Sequence, residues 1–160
     1  MKIVVLSDTH SRALPASLKA ALFQADLIVH VGDFCSLDDL KEIAAYTEVK
    51  AVYGNMDDMS LRNKLPSRDI FDAEGVRIGL FHGKGPAKEV IEYAKEEFSK
   101  DKVDIVVFGH SHSPYNEKIG KVLYFNPGSP TDKISAPMCS YGIIEVKDGK
   151  YNCEIIEIKD

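Results

Sequence analysis

The segment "VDIVVFGHSHSP", residues 103–114, joins a nearly continuous apolar run to a loop with two histidines. Short runs rich in Val and Ile are typical of strands that are covered on both faces of a sheet. The chain has only five histidines, and His110 and His112 stand one residue apart between a glycine and a proline. Imidazoles in such a tight loop gain little from packing. Their spacing therefore indicates a chemical role, although this motif alone does not decide it.

Strand and helix patterns alternate before this segment. Three further apolar runs predict strands of the same kind: residues 2–7, 26–31 and 49–54. Segments of helical period are residues 15–25, 36–46 and 86–100, with Pro15 suited to a first helical position and Ser36 to an N-cap. The alternation predicts βαβ units around a parallel sheet.

Two regions break the alternation. Residues 68–83 read as two strands joined by a turn at Glu74 and Gly75, and the C-terminal third reads as strands with a hairpin at Asp148 and Gly149. Helical pattern is largely absent after Lys100. We therefore predict an α/β fold with two packed mixed sheets flanked by helices, in a single domain over residues 1–160.

Composition limits the classes of function. The 160 residues carry a net charge of −5, which disfavours a broad surface for extended nucleic acid. The first apolar run is far too short for the roughly 20 residues that span a bilayer, so we expect no membrane segment. The cysteines are three, widely spaced and without a CxxC pair, which argues against disulfides and a zinc ribbon and favours a cytoplasmic location.

Polar side chains with metal-binding chemistry stand where the predicted strands end. These are Asp8, His10, Asp33, Asn55, His82, His110 and His112. In open α/β sheets the loops at the carboxyl ends of the strands converge, so separate loops can build one site. Carboxylate, imidazole and amide groups suit divalent ions such as Mn, Fe, Ni or Zn. The set therefore predicts a metal site.

Each signal alone also has an ordinary explanation. Asp-x-His occurs at helix N-caps and turns, and Gly-Asp or Gly-Asn is common turn chemistry. Other polar residues near these loops are expected to have structural or solvated roles. We expect His30 to be a hydrogen-bonded core histidine and Cys35 to be buried beneath its helix. Asp57 and Asp58 are expected to start a helix or a turn. Arg12 and Lys84 are expected to be solvated, and Ser129 stays open between a turn residue and a substrate contact.

The ordered series "SDTH", "GDF", "GNMD", "FHG" and "GHSHSP", followed by "NPGS" at residues 126–129, resembles the calcineurin-like metallophosphoesterases. The resemblance is strongest to their small prokaryotic phosphodiesterase branch. It implies a four-layer α/β/β/α sandwich with two divalent transition-metal ions, for which manganese is the first choice and Ni, Fe, Zn or Co are alternatives.

Carried over by motif, the resemblance assigns ligands to each ion. One ion would be held by Asp8, His10, Asp33 and His112, and the other by Asp33, Asn55, His82 and His110. Asp33 would bridge the two ions, and Asp33, Asn55 and His82 would also act in catalysis. The implied reaction is hydrolysis of a small phosphodiester by in-line attack of a metal-bridging hydroxide.

One position departs from the wider superfamily, in which many members carry His after the Gly-Asn. This chain has Met56 there, and a thioether cannot protonate a leaving group. The absence favours diester over monoester substrates, and the small phosphodiesterase branch commonly lacks this histidine. Two alternatives stay open: a phosphomonoesterase or nucleotidase, and a non-catalytic protein-binding scaffold of the same fold. Homo-oligomerisation is also open, because the apolar positions of residues 134–139 could form a subunit contact or cover the core.

Overall fold

Ten strands and four helices make up the computed structural model, which describes residues 1–160. The strands are β1 (Lys2–Leu6), β2 (Leu27–His30), β3 (Val49–Ala51), β4 (Arg68–Ala73), β5 (Val76–Phe81), β6 (Ile105–Val107), β7 (Tyr115–Ile119), β8 (Val122–Asn126), β9 (Ser140–Lys147) and β10 (Lys150–Glu157). The helices are α1 (Ala16–Phe23), α2 (Leu37–Ala44), α3 (Met59–Lys64) and α4 (Val90–Glu97).

The strands form two mixed five-stranded sheets. Sheet 1 has the order β10-β9-β1-β2-β3, in which β1, β2 and β3 are parallel and β9 and β10 are antiparallel to their neighbours. Sheet 2 has the order β4-β5-β6-β8-β7, in which β5, β6 and β8 are parallel and the two edge strands are antiparallel. Each sheet thus keeps three parallel strands side by side.

Alternation along β1 shows how one strand serves two cores. Ile3 and Val5 belong to the cluster that fills the space between the sheets, whereas Val4 and Leu6 belong to the cluster beneath the helices. All four side chains are fully buried. Successive residues of a strand point to opposite faces, so a strand covered on both faces needs an apolar residue at every position. Its sequence is therefore a continuous apolar run.

The helices form the outer layers. The first three cover sheet 1 through Leu18, Leu22, Leu40, Ile43 and Leu61. Helix α4 covers sheet 2 through Val90, Ala94 and Phe98, which pack against Val106, Phe108 and Tyr124. The predicted α/β/β/α sandwich is confirmed.

Helix beginnings match the prediction at one of three places. Ser36 caps α2 in a capping box: its Oγ accepts from Asp39 N–H, and Asp39 Oδ2 accepts from Ser36 N–H at 2.9 Å. Pro15 instead stands just before α1, at the N-cap position. Helix α4 begins at Val90 rather than near residue 86, because residues 87–89 form a turn.

The sequence patterns missed two short elements. Helix α3 has six residues, fewer than two turns, so no helical period can be recognised in it. Strand β7, "YNEKI", is a largely exposed edge strand without an apolar run. The two predicted hairpin turns are confirmed, with positive φ at Glu74 and Gly75 and again at Asp148 and Gly149.

The four helices are all short. The longest have eight residues, and none has both the length and the apolar character that crossing a lipid bilayer requires.

Candidate metal centre

All seven predicted ligands lie at the carboxyl ends of parallel strands. Asp8 and His10 follow β1, Asp33 follows β2, Asn55 follows β3, His82 follows β5, and His110 and His112 follow β6. The two sheets bring these loops together at one edge of the sandwich. The sixth parallel strand, β8, leads to Ser129 and Asp132, which also reach this edge.

One group of ligand atoms comes from Asp8, His10 and His112, and all three lie within 4.8 Å of one another. The Nε2 atoms of the two histidines are 3.2 Å apart. Asp8 Oδ1 lies 3.3 Å from His112 Nε2 and 3.9 Å from His10 Nε2. A carboxylate oxygen and two ring nitrogens thus point at a common space.

A second group adjoins the first and consists of Asp8, Asp33 and His82. His82 Nε2 lies 3.4 Å from Asp33 Oδ2 and 4.0 Å from Asp8 Oδ1. Asp33 Oδ2 is also 3.8 Å from His10 Nε2, so both carboxylates stand between the groups. Asp8 is the residue shared by both groups, whereas the family resemblance implied Asp33 as the bridge.

Asn55 and His110 extend the second group. Asn55 Oδ1 is 3.1 Å from His82 Nε2 and 2.9 Å from His110 Nδ1. The structure therefore brings all seven predicted residues into one cluster. Their roles as ligands stay predictions.

The outer nitrogens of two imidazoles fix which nitrogen faces the cluster. His82 Nδ1 donates to the carbonyl of Val31 at 2.7 Å, and His110 Nε2 donates to the carbonyl of Gly85 at 2.9 Å. A carbonyl only accepts, so the hydrogen of each neutral ring is on the outer nitrogen. The inner nitrogen then presents a lone pair, as a metal ligand must.

The other two imidazoles have side-chain partners. His112 Nδ1 lies 2.5 Å from Asp132 Oδ2, and His10 Nδ1 lies 3.6 Å from Cys35 Sγ. Asp132 was not among the predicted site residues. The signal that could have found it is its place after β8, in "NPGSPTD", because this strand also exits at the ligand edge.

The side chains of the cluster do not satisfy one another, and divalent cations would satisfy them better. In their neutral forms, His82 and His110 would turn lone pairs toward Asn55 Oδ1, which is itself an acceptor. Asp8 Oδ1 is buried and has no hydrogen-bond partner. Converging lone pairs and an unpaired buried carboxylate oxygen are unfavourable without positive charge. Mixed oxygen and nitrogen donors without thiolates suit Mn, Fe, Ni, Co or Zn.

The sequence model of the calcineurin-like phosphoesterase superfamily domain matches residues 1–149. The chain belongs to this superfamily. A probable metallophosphoesterase of Methanothermobacter thermautotrophicus is 32% identical over 165 residues, covering 98% of this chain and 92% of that protein.

Two further relatives bear on activity and fold. A phosphodiesterase of Methanocaldococcus jannaschii is 29% identical over 171 residues, covering 98% of this chain and 100% of that protein. The solved structure of Chaetomium thermophilum Vps29 superposes with a TM-score of 0.81 at 19% identity, covering 99% of this chain and 97% of that one. At that identity the likeness shows the fold alone.

The electrostatics of this candidate metal centre favour added positive charge. Burial acts to raise the pKa of Asp8 and of Asp33, but neighbouring histidines outweigh it and hold both pKa values below the ordinary range. Burial likewise opposes protonation of His82, yet Asp33 and Asp8 raise its pKa. The Asp8 carboxylate, whose Oδ1 lies 3.3 Å from His112 Nε2, and the Asp132 carboxylate raise the pKa of His112 to about 9. Protons therefore occupy the centre when metal does not.

Backbone strain concentrates in the ligand loops. Nine residues other than glycine have positive φ, and two of them are the hairpin residues Glu74 and Asp148. The other seven lie at the site: Asp8, His10, Ser11, Asp33, Cys35, His110 and His112. Such residues cost about 1–3 kcal/mol each and persist only where their surroundings determine them. Five of the seven predicted ligands are held in this way.

Asp57 joins the loops that follow β2 and β3. Its carboxylate is buried and accepts from the backbone N–H groups of Gly54 at 2.7 Å, Cys35 at 2.8 Å and Asp33 at 3.0 Å. Asp58 has the predicted helix-start role, since its side chain accepts from Leu61 N–H and caps α3. Asp57 has a wider role than a turn, because it holds the backbone of Asp33 against the exit of β3.

The "NPGS" segment braces the loops on the other side. Ser129 is fully buried, donates to the carbonyl of Asp8 at 2.8 Å and accepts from Asp132 N–H at 3.1 Å. Asn126 donates to the carbonyl of Gly109 at 3.1 Å. Ser129 therefore holds the Asp8 backbone and is not a free turn residue at the surface.

His30 lies outside the ligand set, as predicted. It is fully buried, its Nδ1 accepts from Gly32 N–H at 3.1 Å, and its Nε2 lies 3.1 Å from Thr9 Oγ1. Burial lowers its pKa to about 3, so the ring is neutral near pH 7. It supports the loops that follow β1 and β2.

Cys35 corrects one expectation, because it is only half-buried. Together with His10, Arg12 and Ile134 it lines a surface pocket of about 370 Å³ beside the centre. Its φ of 95° turns the residue out of the helix direction, toward His10 rather than beneath α2. Arg12 is exposed as predicted, and it donates to the carbonyl of Thr131 at 3.0 Å. Lys84, also exposed, lies over the ring of Tyr93.

Gly54→Ala is expected to weaken metal binding. An added Cβ would overlap Asp33 Oδ1 and lie 2.7 Å from Asp33 N, so the loop carrying Asn55 must move. We expect the affinity for Mn²⁺ to fall about tenfold or more, as for loss of an outer partner of a ligand. Isothermal titration calorimetry on chelator-stripped protein measures it. Gly120→Ala is the control: its added methyl meets no atom within 4 Å, and the strain from its φ of 62° falls on the turn between β7 and β8, away from the centre. Equal affinities in the two variants would contradict the prediction.

Metal affinity is expected to rise with pH. A ligand imidazole must lose its proton to bind metal, and the raised pKa of His112, about 9, means that a proton must be displaced at pH 7. In the metal-free protein the same proton stabilises the fold below the unfolded pKa of about 6.5, and this stabilisation is lost as pH rises to about 9. Titration with Mn²⁺ in buffers of different ionisation enthalpy should show proton release. Binding without proton release at pH 7 would refute the assignment of His112 as a ligand.

Proposed function

We propose that this chain is a phosphodiesterase that hydrolyses small phosphodiesters with two divalent ions, with manganese as the first choice. The observation that carries the proposal is the pair of adjoining His/Asp groups that share Asp8, whose Oδ1 is buried and unpaired. The M. jannaschii phosphodiesterase supports the reaction class at 29% identity.

The residues that would hold the ions divide between the two groups. Asp8, His10, Asp33 and His112 would hold one ion, and Asp33, Asn55, His82 and His110 the other, with Asp8 beside both. When bound, two such ions supply positive charge that stabilises the phosphoryl oxygens and lowers the pKa of water. The two carboxylates would keep the ions adjacent by offsetting their mutual repulsion.

Asn55 has a free donor for the substrate. Its carbonyl oxygen faces His82 and His110, and the residue is exposed. Its Nδ2 group can therefore donate a hydrogen bond to a phosphoryl oxygen at the edge of the centre. Such a donor stabilises charge that develops on the phosphate as the bond to the leaving group breaks.

The position after Asn55 provides no acid. The Met56 side chain is 57% exposed, and only its backbone N–H takes part in the site, donating to Asp33 Oδ1 at 2.7 Å. Asp57 and Asp58 already accept from backbone N–H groups, so neither is free to protonate a leaving group. Substrates whose leaving group needs little protonation are therefore favoured, which supports aryl esters and certain diesters.

The two alternatives use the same fold differently. A protein-binding scaffold has no need of seven metal-competent side chains gathered in strained loops. A phosphomonoesterase could use the same ions, but general acid catalysis is worth about 10²- to 10⁴-fold and Met56 removes its usual source. The comparison of diester with monoester turnover separates the possibilities.

The central test is hydrolysis by stripped and Mn²⁺-restored protein. We expect bis(p-nitrophenyl) phosphate to be hydrolysed faster than p-nitrophenyl phosphate, and only with metal restored. Asp33→Asn should lower diester turnover about 10²-fold or more, since it removes a charge that holds the ions. Asp38→Asn is the matched control, because this exposed carboxylate of α2 bonds only to Lys41.

Three results would redirect the proposal. Faster monoester hydrolysis would favour the phosphomonoesterase. Protein that binds no Mn²⁺, Ni²⁺ or Zn²⁺ and hydrolyses neither ester would favour the scaffold. An unchanged rate in Asp33→Asn would place the reaction elsewhere.

Met56→His is expected to raise monoester hydrolysis. The new imidazole would stand directly after Asn55 and could donate a proton to the leaving oxygen. We expect the ratio of monoester to diester turnover to rise about tenfold, below the full range for general acid catalysis, because the ring is unsupported. Met59→His is the control at another exposed methionine, the first residue of α3. Equal ratios in both variants and the wild type would show that a missing acid is not what limits monoester hydrolysis.

A further inference from the structure

We propose that Asp132 is a positioning residue for the metal centre, which holds His112 with its Nε2 lone pair directed at the space shared with Asp8 and His10. The inference rests on the metal centre of the proposed function, but not on which ester the protein hydrolyses.

The Asp132 carboxylate is fixed on both of its oxygens. Oδ2 lies 2.5 Å from His112 Nδ1, while Oδ1 accepts from the backbone N–H groups of Ile134 at 3.0 Å and Ser135 at 2.9 Å. The residue is only 5% exposed. A carboxylate anchored by two backbone donors cannot rotate away from the ring, so the ring plane of His112 is set by the loop.

The same segment also holds the other side of the first group. Asp132 N–H donates to Ser129 Oγ at 3.1 Å, and Ser129 Oγ donates to the Asp8 carbonyl at 2.8 Å. Thr131 Oγ1 donates to the carbonyl of Thr9 at 3.0 Å. The loop after β8 therefore fixes Asp8 and His112 relative to each other, although the chain separates them by more than 100 residues.

Among the four imidazoles of the centre, His112 alone has a carboxylate on its outer nitrogen. His82 and His110 donate to backbone carbonyls, and His10 faces the thiol of Cys35. A carboxylate partner makes the ring a stronger base and a stronger ligand than a carbonyl does. His112 is also the histidine nearest to Asp8 Oδ1, at 3.3 Å. Asp132 thus strengthens the ligand next to the unpaired oxygen.

Asp132→Asn separates this role from loop packing. The amide oxygen can still accept from Ile134 and Ser135, which leaves the NH₂ group facing His112 Nδ1. That nitrogen must then accept, and the hydrogen of the neutral ring moves to Nε2. An Nε2–H group directed at Asp8 and His10 cannot bind a cation. The substitution thus replaces one carboxylate oxygen of Asp132 by an NH₂ group and moves the ring hydrogen of His112 from Nδ1 to Nε2.

The test measures Mn²⁺ binding and the ring tautomer together. In titrations of chelator-stripped full-length protein, Asp132→Asn should weaken one of two Mn²⁺ equivalents about 10- to 100-fold and leave the other within about twofold. Long-range ¹H–¹⁵N spectra of the metal-free protein, recorded along a pH series that reaches the neutral ring, should show Nδ1–H in the wild type and Nε2–H in the variant. Asp72→Asn is the control, because Asp72 also accepts from a turn N–H, that of Gly75, away from the centre.

Three outcomes would overturn the proposal: wild-type affinity for both equivalents, an unchanged tautomer, or equal weakening of both equivalents with a lower melting temperature, which would indicate a structural role. If Asp132→Asn fails to fold, Asp132→Glu keeps the carboxylate and should retain the Nδ1–H tautomer. Because the readouts are metal binding and tautomer, selective loss of one equivalent supports the proposal even in a protein that hydrolyses no diester.

Discussion

The crowding of negative charge and lone pairs at one edge of two sheets is the constraint on which the site depends. Asp8 and Asp33 are both buried, and their oxygens lie within 4 Å of three ring nitrogens. Such a cluster has no stable arrangement without positive charge, which either protons or metal ions can supply. The raised pKa of His112 and the lowered pKa of Asp8 are two expressions of the same demand. The need for positive charge is clearest at Asp8 Oδ1, which is buried without a hydrogen-bond partner.

The strands and the buried polar residues that hold the loops, here called the braces (Asp57, Ser129 and Asp132), together position the charged groups. Parallel strands fix where each loop begins, and the buried core between the sheets fixes the strands. The loops then turn sharply through positive φ, at a cost that burial of Asp57 and Ser129 against backbone groups offsets. Precision at the centre therefore comes from the polar groups that hold the loops as much as from the ligands.

The sequence was sufficient for the layers and for the seven candidate ligands, because both follow from local rules. Apolar runs at both parities predicted covered strands, and metal-competent side chains stood directly after them. The braces were not predictable in this way. Asp57 looks like a turn aspartate and Asp132 like a loop residue, since their partners are backbone groups and a ring that only the tertiary fold brings near. Helix α3 and strand β7 were missed for a different reason, because a six-residue helix and an exposed edge strand carry no periodic signal.

The outer nitrogens of the imidazoles make the two halves of the centre chemically unequal. On one side His112 is backed by a carboxylate and stands beside Asp8, so its half is rich in negative charge. On the other side His82 and His110 are backed by carbonyls, and Asn55 contributes a neutral oxygen. Asp8 and Asp33 stand between the halves, so the difference lies in Asp132 on one side and the neutral oxygen of Asn55 on the other. A neutral donor offsets less of a cation's charge than a carboxylate does, which in the proposed function would leave more of that charge to act on a phosphoryl oxygen. In the proposed function, this asymmetry would assign firm holding of metal to the half near Asp132 and polarisation of the ester to the half near Asn55, where the exposed amide would also contact the substrate.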